Sequence, residues 1–290
     1  MAYGLVTAAY NEEAFIEATI RSVLGQTVQP AAWIVVSDGS TDGTDDIVAR
    51  FARLHPFIKL LRRQRGMTRS FQSKILAVNH AVSLLRDLEL EYIGNLDADV
   101  TFGPEYFAQL IQLMRQEPRL GIGGGWIHEL QDGEFRPRPF NADDTVPHAV
   151  QFVRAACLES IQGYVALPYG GADTLASFAA EKHGWIVRAV PHLPVFHHRR
   201  TASAGSRFRN YFRSGMVEDS LGYDPAFQAI KCFSRLNERP YVVRSILRFA
   251  GFWRSRLAHG SRAVDPELVR FIRMRQRRRL REIVTSGAGR

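Results

Sequence analysis

Four apolar runs with the length of strands alternate with helical patterns over the first hundred residues. The strand-like runs cover residues 3–7, 33–36, 57–63 and 92–99, and the helical patterns cover residues 12–27, 45–54 and 70–85. This alternation predicts an α/β fold with a mostly parallel central sheet flanked by helices. Ligands of such sheets bind beyond the carboxyl ends of the strands, so the residues that follow each strand are the first candidates for a site.

Polar side chains stand at three of these strand ends. They are, in chain order, Asn11, Glu12, Asp38, Asp97 and Asp99. Because side chains alternate along a strand, the last two should face the same way, where their charges repel unless a cation lies between them. A divalent cation bound to a phosphate would suit that place, since hard cations prefer carboxylate oxygens. The alternative is an acidic loop beside a helix cap, because an Asp-x-Asp pattern is short.

The second half of the chain is less regular. Its predicted elements are a strand at 121–130, a helix at 149–161, a helix at 170–185 that begins near Asp173, and a strand within 186–200 that ends near His197. From about Arg207 the chain becomes helical and rich in arginine. The glycine run at 121–125 does not follow the first strand, so it does not indicate a dinucleotide-binding turn.

The composition is that of an ordinary globular protein. Of the 290 residues, 46% are hydrophobic and 23% are charged. Two cysteines, Cys157 and Cys232, do not support a disulfide framework or a cysteine-ligated zinc site. The N-terminal segment lacks the features of a signal peptide and no apolar run is long enough to span a bilayer, so we expect a cytoplasmic protein. The net charge of +9 favours anionic partners: nucleic acid, an anionic membrane surface or phosphorylated substrates.

Four motifs identify the first half of the chain more closely. The sequence reads VTAAYNEE, then VVSDGSTDGT, then SKILAVN, then NLDADV. In this order and at these spacings the motifs resemble the nucleotide-binding half of the family 2 glycosyltransferases, which have the GT-A fold. The resemblance is close over residues 5–102 and extends more loosely to about Arg200. Ala8 or Ala9 stands where proline is common in the family, and Ser73 replaces a glycine.

The resemblance implies a role for each matching position. The residues implied to bind the nucleotide sugar are Thr7, Ala9, Asn11, Glu12, Asp38, Arg69, Lys74 and Asp97. Asp38 would contact the base or ribose, Lys74 and Arg69 would lie near the phosphates, and Asp97 would contact ribose or the metal shell. Asp99 would ligate Mg²⁺ or Mn²⁺, with His197 completing the metal sphere. A solvated helix lysine and a structural histidine are the alternatives for Lys74 and His197.

The resemblance also implies a catalytic base. An inverting transfer is a single displacement at the anomeric carbon, and a carboxylate must take the proton of the acceptor hydroxyl. In the family this base lies in a Glu-Asp pair at the start of a helix. Asp173 matches the second acid, whereas Ala172 replaces the first. The alternative is that Asp173 only caps the helix. His198, Arg199 and Arg200 would neutralise phosphate.

Arginine dominates the C-terminal region. Residues 241–257 read YVVRSILRFAGFWRSRL, with arginines on one side and apolar residues on the other, which is typical of helices at a membrane surface. The alternative is a helix that packs on its own domain. Charge alone supports nucleic acid, since no motif for it is present. We expect a GT-A catalytic domain at 1–205, with a nucleotide-sugar half at 1–102 and an acceptor half at 103–205, and a helical region at 206–290.

These observations predict a metal-dependent, inverting glycosyltransferase. Its donor would be a nucleotide-diphospho-sugar, UDP-linked by preference, and its acceptor a glycan or a lipid-linked sugar in bacterial surface polysaccharide synthesis. Contact with the anionic inner face of the cell membrane is part of this expectation. The alternatives are a soluble transferase with a small acceptor, a nucleotide-sugar-binding protein without turnover, which the absence of an acid at Ala172 keeps open, and a basic nucleic-acid-binding protein.

Overall fold

The computed structural model of the chain describes residues 2–63, 70–131, 133–139, 141–199, 207–236, 242–258 and 263–287. The chain divides into two compact units. The first consists of residues 1–166 and 172–201, and the second of residues 167–171 and 202–290. None of the described helices is both long enough and apolar enough to cross a membrane.

The first unit opens with alternating strands and helices, as the apolar pattern predicts. In chain order they are β1 (Tyr3–Ala9), α1 (Ile16–Leu24), β2 (Ala32–Asp38), α2 (Thr44–Leu54), β3 (Ile58–Arg63), α3 (Phe71–Ser83) and β4 (Tyr92–Asn95). Strand β1 lies between β2 and β4, β2 also pairs with β3, and all three pairings are parallel. Every residue of β2 is buried, which explains why its sequence is a continuous apolar run rather than an alternating one.

The remainder of the first unit completes a mixed sheet. Its elements are β5 (Val100–Phe102), α4 (Tyr106–Gln116), β6 (Leu120–Gln131), β7 (Glu134–Pro137), a 3₁₀ turn (His148–Val150), β8 (Phe152–Arg154), α5 (Ala155–Ser160), α6 (Ala172–Lys182) and β9 (Ile186–His197). The strand order is β3-β2-β1-β4-β8-β6-β9-β5, and β7 pairs with β6. Strands β6 and β9 run parallel, whereas β8 is antiparallel to both of its neighbours.

The helix predicted at 149–161 is wrong over its first half. Only α5 is α-helical, and the residues before it form the 3₁₀ turn and strand β8. Phe152 pairs with Gly94 of β4 and stacks on Tyr92 with ring centroids 5.3 Å apart. The sheet thus offers this apolar segment both backbone partners and a buried aromatic neighbour, and this tertiary packing overrides the local helical pattern.

The glycine run in β6 serves packing. A side chain at Gly125 would place its Cβ 2.0 Å from the carbonyl oxygen of Leu193, and one at Gly124 would lie 2.7 Å from the carbonyl oxygen of Val150. Both neighbours are backbone atoms, which cannot turn aside as a flexible side chain can. These glycines therefore allow β9 and the turn before β8 to approach β6 closely.

Helices make up most of the described residues of the second unit. Its elements are α7 (Arg207–Ser220), α8 (Pro225–Phe233), α9 (Val243–Ala258) and α10 (Pro266–Gly287). Helices α7 and α9 cross in backbone contact, because a Cβ on Gly215 would lie 1.8 Å from the carbonyl oxygen of Arg248. Next to this crossing Glu218 is buried and accepts hydrogen bonds from Lys231 Nζ at 2.6 Å and from Arg248 Nε at 2.7 Å. The buried carboxylate is thereby paired.

Candidate active site

The loops that follow β1 and β2 are joined by hydrogen bonds. Asn11 has a positive φ of 53°, and its Oδ1 accepts from the backbone N–H of Thr41 at 2.8 Å. The backbone N–H of Glu12 donates to Thr44 Oγ1 at 2.8 Å. Asparagine tolerates this left-handed conformation better than most residues. The two strand ends therefore form one wall of the site.

Helix α3 connects the β2 end to the acidic turn after β4. Ser73 Oγ donates to Asp38 Oδ2 at 2.6 Å, and in the next position Lys74 Nζ lies 2.6 Å from Asp97 Oδ1. Burial acts to lower the pKa of Lys74, but the neighbouring carboxylates, Asp97 foremost, outweigh it and raise the pKa. Burial acts to raise the pKa of Asp97, and the charge of Lys74 lowers it below the usual range. Both groups are therefore charged at neutral pH.

The Asp-x-Asp pair lies beyond its strand, which corrects the predicted geometry. Strand β4 ends at Asn95, and both aspartates occupy the turn before β5. They nevertheless converge, because Asp97, Asp99 and His197 each offer a ligand atom and these atoms lie within 4.8 Å of one another. His197 Nε2 is 3.2 Å from Asp99 Oδ1. Two carboxylates and an imidazole at this spacing fit a divalent cation such as Mg²⁺ or Mn²⁺.

Pairing of β5 with β9 brings His197 to the acidic turn. The register sets Val100 opposite His197, and the backbone N–H of His198 donates to the carbonyl oxygen of Asp99 at 2.9 Å. Burial acts to lower the pKa of His197, but the hydrogen bond and charge of Asp99 raise it. The ring of the neighbouring His198 contacts a different residue, with its Nε2 2.9 Å from Thr101 Oγ1.

Arg199, two residues after the end of β9, is a second cation beside the acidic turn. It forms an ion pair with the buried carboxylate of Glu12, and its Nε lies 3.7 Å from Asp99 Oδ2. The first strand end and the metal-type cluster are thus joined by one guanidinium. Arg69 and Arg200, which the sequence also proposed for phosphate, lie outside the described residues.

Asp173 lies in the first turn of α6 and faces the 3₁₀ turn. Its Oδ2 accepts from the backbone N–H of His148 at 3.2 Å, and its Oδ1 from the N–H of Thr174 at 2.8 Å. Asn95 Nδ2 lies 2.8 Å from His148 Nδ1, an arrangement that fits a neutral ring with its proton on Nε2. That atom is buried and has no hydrogen-bond partner. Burial, reinforced by Lys74, lowers the pKa of His148 to about 4, so the ring is neutral at neutral pH.

Thr7 and Ala9 lie within the sheet. Both are buried on β1, and Thr7 Oγ1 accepts from Trp33 Nε1 at 3.0 Å. The hydroxyl of Thr7 is therefore already engaged in the interior of the sheet, whereas Asn11 and Glu12 lie just beyond the strand end.

Two charged residues of this region were missed in the sequence. Glu129 on β6 is buried with Oε1 unpaired, and Arg138 is half-buried with Nε unpaired. Burial lowers the pKa of Arg138, and the carboxylates of Glu129 and Asp173 oppose that shift, so the three groups interact electrostatically. No ion pair joins either residue to another described side chain. The only local signal was a glutamate inside an apolar strand, which is ambiguous by itself.

Comparison with known proteins identifies the family. The sequence profile described as Glycosyl transferase family 2 matches residues 5–162, more than half of the chain. The chain belongs to this family. The family predicted from the four motifs is thereby confirmed.

Curated relatives match the first half of this chain. The protein EpsH of Bacillus subtilis (strain 168) is 27% identical over 121 residues, which are 42% of this chain and 33% of EpsH. Poly-beta-1,6-N-acetyl-D-glucosamine synthase of Staphylococcus epidermidis is 30% identical over 119 residues, 41% of this chain and 26% of the synthase. The chain thus covers a third or less of the length of these two relatives.

Solved structures match almost the whole chain. The mannosyltransferase PcManGT from Pyrobaculum calidifontis, in complex with GDP-Man and Mn²⁺, superposes with a TM-score of 0.57 at 16% identity, covering 99% of this chain and 79% of that one. TarS of S. aureus in complex with UDP-GlcNAc gives a TM-score of 0.55 at 16% identity, covering 94% and 78%. At this level of identity the likeness shows the fold, and the predicted GT-A fold is confirmed.

Proposed function

We propose that this chain is a metal-dependent glycosyltransferase, which moves a sugar, with inversion, from a nucleotide-diphospho-sugar to a glycan or lipid-linked acceptor in bacterial surface polysaccharide synthesis. The observation that carries the proposal is the convergence of Asp97, Asp99 and His197 in one cluster, with Lys74 and Arg199 beside it. Acids that could hold a cation and side chains that carry positive charge are what a diphosphate requires.

Asp97, Asp99 and His197 would hold a divalent cation. When bound, such an ion stabilises negative charge on a departing diphosphate. Arg199 would contribute a second positive charge, and its pairing with Glu12 would keep it pointed at the cluster. Lys74 would hold Asp97 in place. We assign the nucleoside to the wall formed by Asn11, Asp38 and their loops, with Thr7 and Ala9 as its strand floor and Arg69 as a further phosphate ligand.

Asp173 is proposed as the base that takes the proton of the acceptor hydroxyl. Its Oδ2 is held by one backbone N–H from the 3₁₀ turn, so the carboxylate has a defined direction. Neutral His148 would offer its Nε2–H to a substrate hydroxyl, since that buried donor has no protein partner. A base of this kind contributes roughly 10²–10⁴-fold to a proton-transfer step.

Glu129 and Arg138 are proposed to bind hydroxyl groups of the acceptor. A buried carboxylate oxygen and a buried guanidinium nitrogen without partners are costly unless a ligand satisfies them. Sugar hydroxyls both donate and accept, so one sugar could satisfy a carboxylate and a guanidinium together. Their electrostatic interaction with Asp173 supports assigning this polar pair to the acceptor.

Arg138→Gln is expected to raise the KM for the acceptor about tenfold, because a hydrogen bond from a charged donor is lost. The KM for the donor should stay unchanged. Initial rates measured against both substrates, with an acceptor found in a panel of simple glycosides, would check this. Arg136→Gln is the matched control, since Arg136 is exposed and forms an ion pair with the exposed Glu134. A rise in donor KM instead would place Arg138 at the nucleotide sugar.

A thermal-shift panel tests the proposed function as a whole. The panel contains nucleoside diphosphates and nucleotide sugars, each with and without Mn²⁺. One nucleotide and its sugars should raise the melting temperature only when Mn²⁺ is present, because a ligand of the folded state stabilises it by mass action. UDP-sugars are the expected case, since TarS is known with UDP-GlcNAc, although PcManGT holds GDP-Man. Release of nucleoside diphosphate separates an enzyme from a binding protein without turnover. No shift with any nucleotide would contradict the donor site.

A further inference from the structure

Helix α9 presents two different faces. One face packs on α7 and is built from small residues and one ring, with Gly251, Phe252 and Ser255 all buried. A Cβ on Gly251 would lie 1.9 Å from the carbonyl oxygen of Phe212, so the backbones of α9 and α7 touch here. The packing of α9 within its own unit therefore does not use most of its large apolar side chains.

Those side chains form an exposed stripe on the opposite face, here called the α9 stripe. Its members are spaced three or four residues apart, which places them along one side of a helix. They are Val243, Ile246, Phe249, Trp253 and Leu257. Leu257 is 82% exposed and Ile246 is 58% exposed. Single exposed apolar residues are ordinary, but a continuous stripe of five marks a surface that binds something.

Arginines border the α9 stripe on both sides. Because successive residues of a helix are about 100° apart around its axis, Arg254 lies next to Val243 at one edge of the stripe, and Arg256 lies next to Phe249 at the other edge. Arg254 is exposed, and the Arg256 guanidinium lies 5.8 Å from the ring centroid of Trp253. An apolar stripe of aromatic and aliphatic residues between cationic edges is the pattern of a helix that lies in a lipid interface.

We propose that the α9 stripe docks this protein on an anionic lipid surface, with the apolar side chains among the acyl chains and the exposed Arg254 at the headgroups, whereas Arg256 is held by an ion pair with the buried Asp219. A net charge of +9 attracts such a surface and repels a second copy of the chain. One helical stripe is also small beside the roughly 800 Å² per partner of a stable protein interface. Nucleic acid would match the charge but offers no apolar layer for Trp253 and Leu257. This docking does not depend on the proposed donor site.

Co-sedimentation of the full chain with lipid vesicles tests the proposal. Wild type should bind vesicles of phosphatidylcholine with about one third phosphatidylglycerol, and bind pure phosphatidylcholine at least tenfold more weakly. The double variant Ile246→Asp with Leu257→Asp should lose at least tenfold in affinity for the anionic vesicles, and Arg254→Glu roughly tenfold. Leu54→Asp and Arg86→Glu are matched controls, because both residues are exposed in the other unit. Melting temperatures would show that every variant is folded.

Three results would overturn the proposal. The first is no binding of wild type to anionic vesicles, and the second is equal binding by the stripe variants and the controls. The third is a concentration-dependent dimer, or a DNA complex, that the stripe variants lose while vesicle binding persists. The thermal shift with nucleotide sugars should be the same in all of these variants, so a failure of docking is distinguishable from a failure of the donor site.

Discussion

Replacing Asp173 by asparagine is expected to lower kcat by roughly 10²–10⁴-fold, because the acceptor hydroxyl loses the group that takes its proton. Asparagine has the same shape, and its carbonyl oxygen can still accept from the backbone N–H of His148. The thermal shift with the nucleotide sugar should therefore not change, whereas the melting temperature should fall slightly, because the amide nitrogen of asparagine cannot accept from the N–H of Thr174 as Oδ1 does. Release of nucleoside diphosphate under saturating donor, with water and with a glycoside as acceptor, measures the effect.

Asp143→Asn is the matched control for this substitution. Asp143 is exposed, lies in the same half of the chain, and contributes its backbone carbonyl rather than its carboxylate to the hydrogen bond with Ala189. The control should keep full activity. If Asp173→Asn also kept it, Asp173 would only stabilise the first turn of α6, and the base would have to be sought among the other acids of the region, with Glu129 first.

Asp99→Ala is expected to abolish the metal-dependent part of the thermal shift and to lower turnover by at least about 10²-fold. Asp99 is 6% exposed and stands between His197 and Arg199, so its loss removes a cation ligand and leaves the His197 ring and the Arg199 guanidinium without their shared carboxylate. A bound cation supplies several kcal/mol of charge stabilisation, which corresponds to this loss in rate. Titration with Mn²⁺ followed by the nucleotide would measure both effects.

Asp99→Asn separates the charge of this side chain from its shape. It should behave like Asp99→Ala if the carboxylate holds a cation, and like wild type if Asp99 only fills space. Asp87→Ala, at an exposed position outside the site, controls for the loss of one negative charge. A metal-dependent shift that survives in both Asp99 variants would show that the cluster is a structural network between β9 and the acidic turn.

The fold of the first unit was predictable because its signals are local. Strands β1 to β4 and helices α1 to α3 each show their own apolar pattern within four to thirteen residues. Parallel strands joined by helices then leave few possible topologies. Strand β8 was not predictable in this way, since three residues carry no period of their own and pair only because β4 and β6 lie on either side of them.

The candidate site was likewise predictable only where its signals are local. Asn11, Asp38, Lys74 and Asp97 follow their strands or begin a helix, so motif order in the sequence was enough to assign them to one sheet edge. The hydrogen-bond and ion-pair partners of these residues could not be read from the sequence. The hydrogen bond of Asp38 to Ser73, for example, requires α3 to pack beside the end of β2.

The sequence by itself determined the family, the GT-A fold and the acids that end the first strands, because these depend on short patterns in fixed order. Only the tertiary structure decided that His197 stands 3.2 Å from Asp99 and that Glu129 and Asp173 both interact electrostatically with Arg138. It also decided which face of α9 is exposed. The physical reason is that charges and apolar faces interact through space. A side chain's partner is chosen by strand register and helix crossing, which involve residues far apart in the chain.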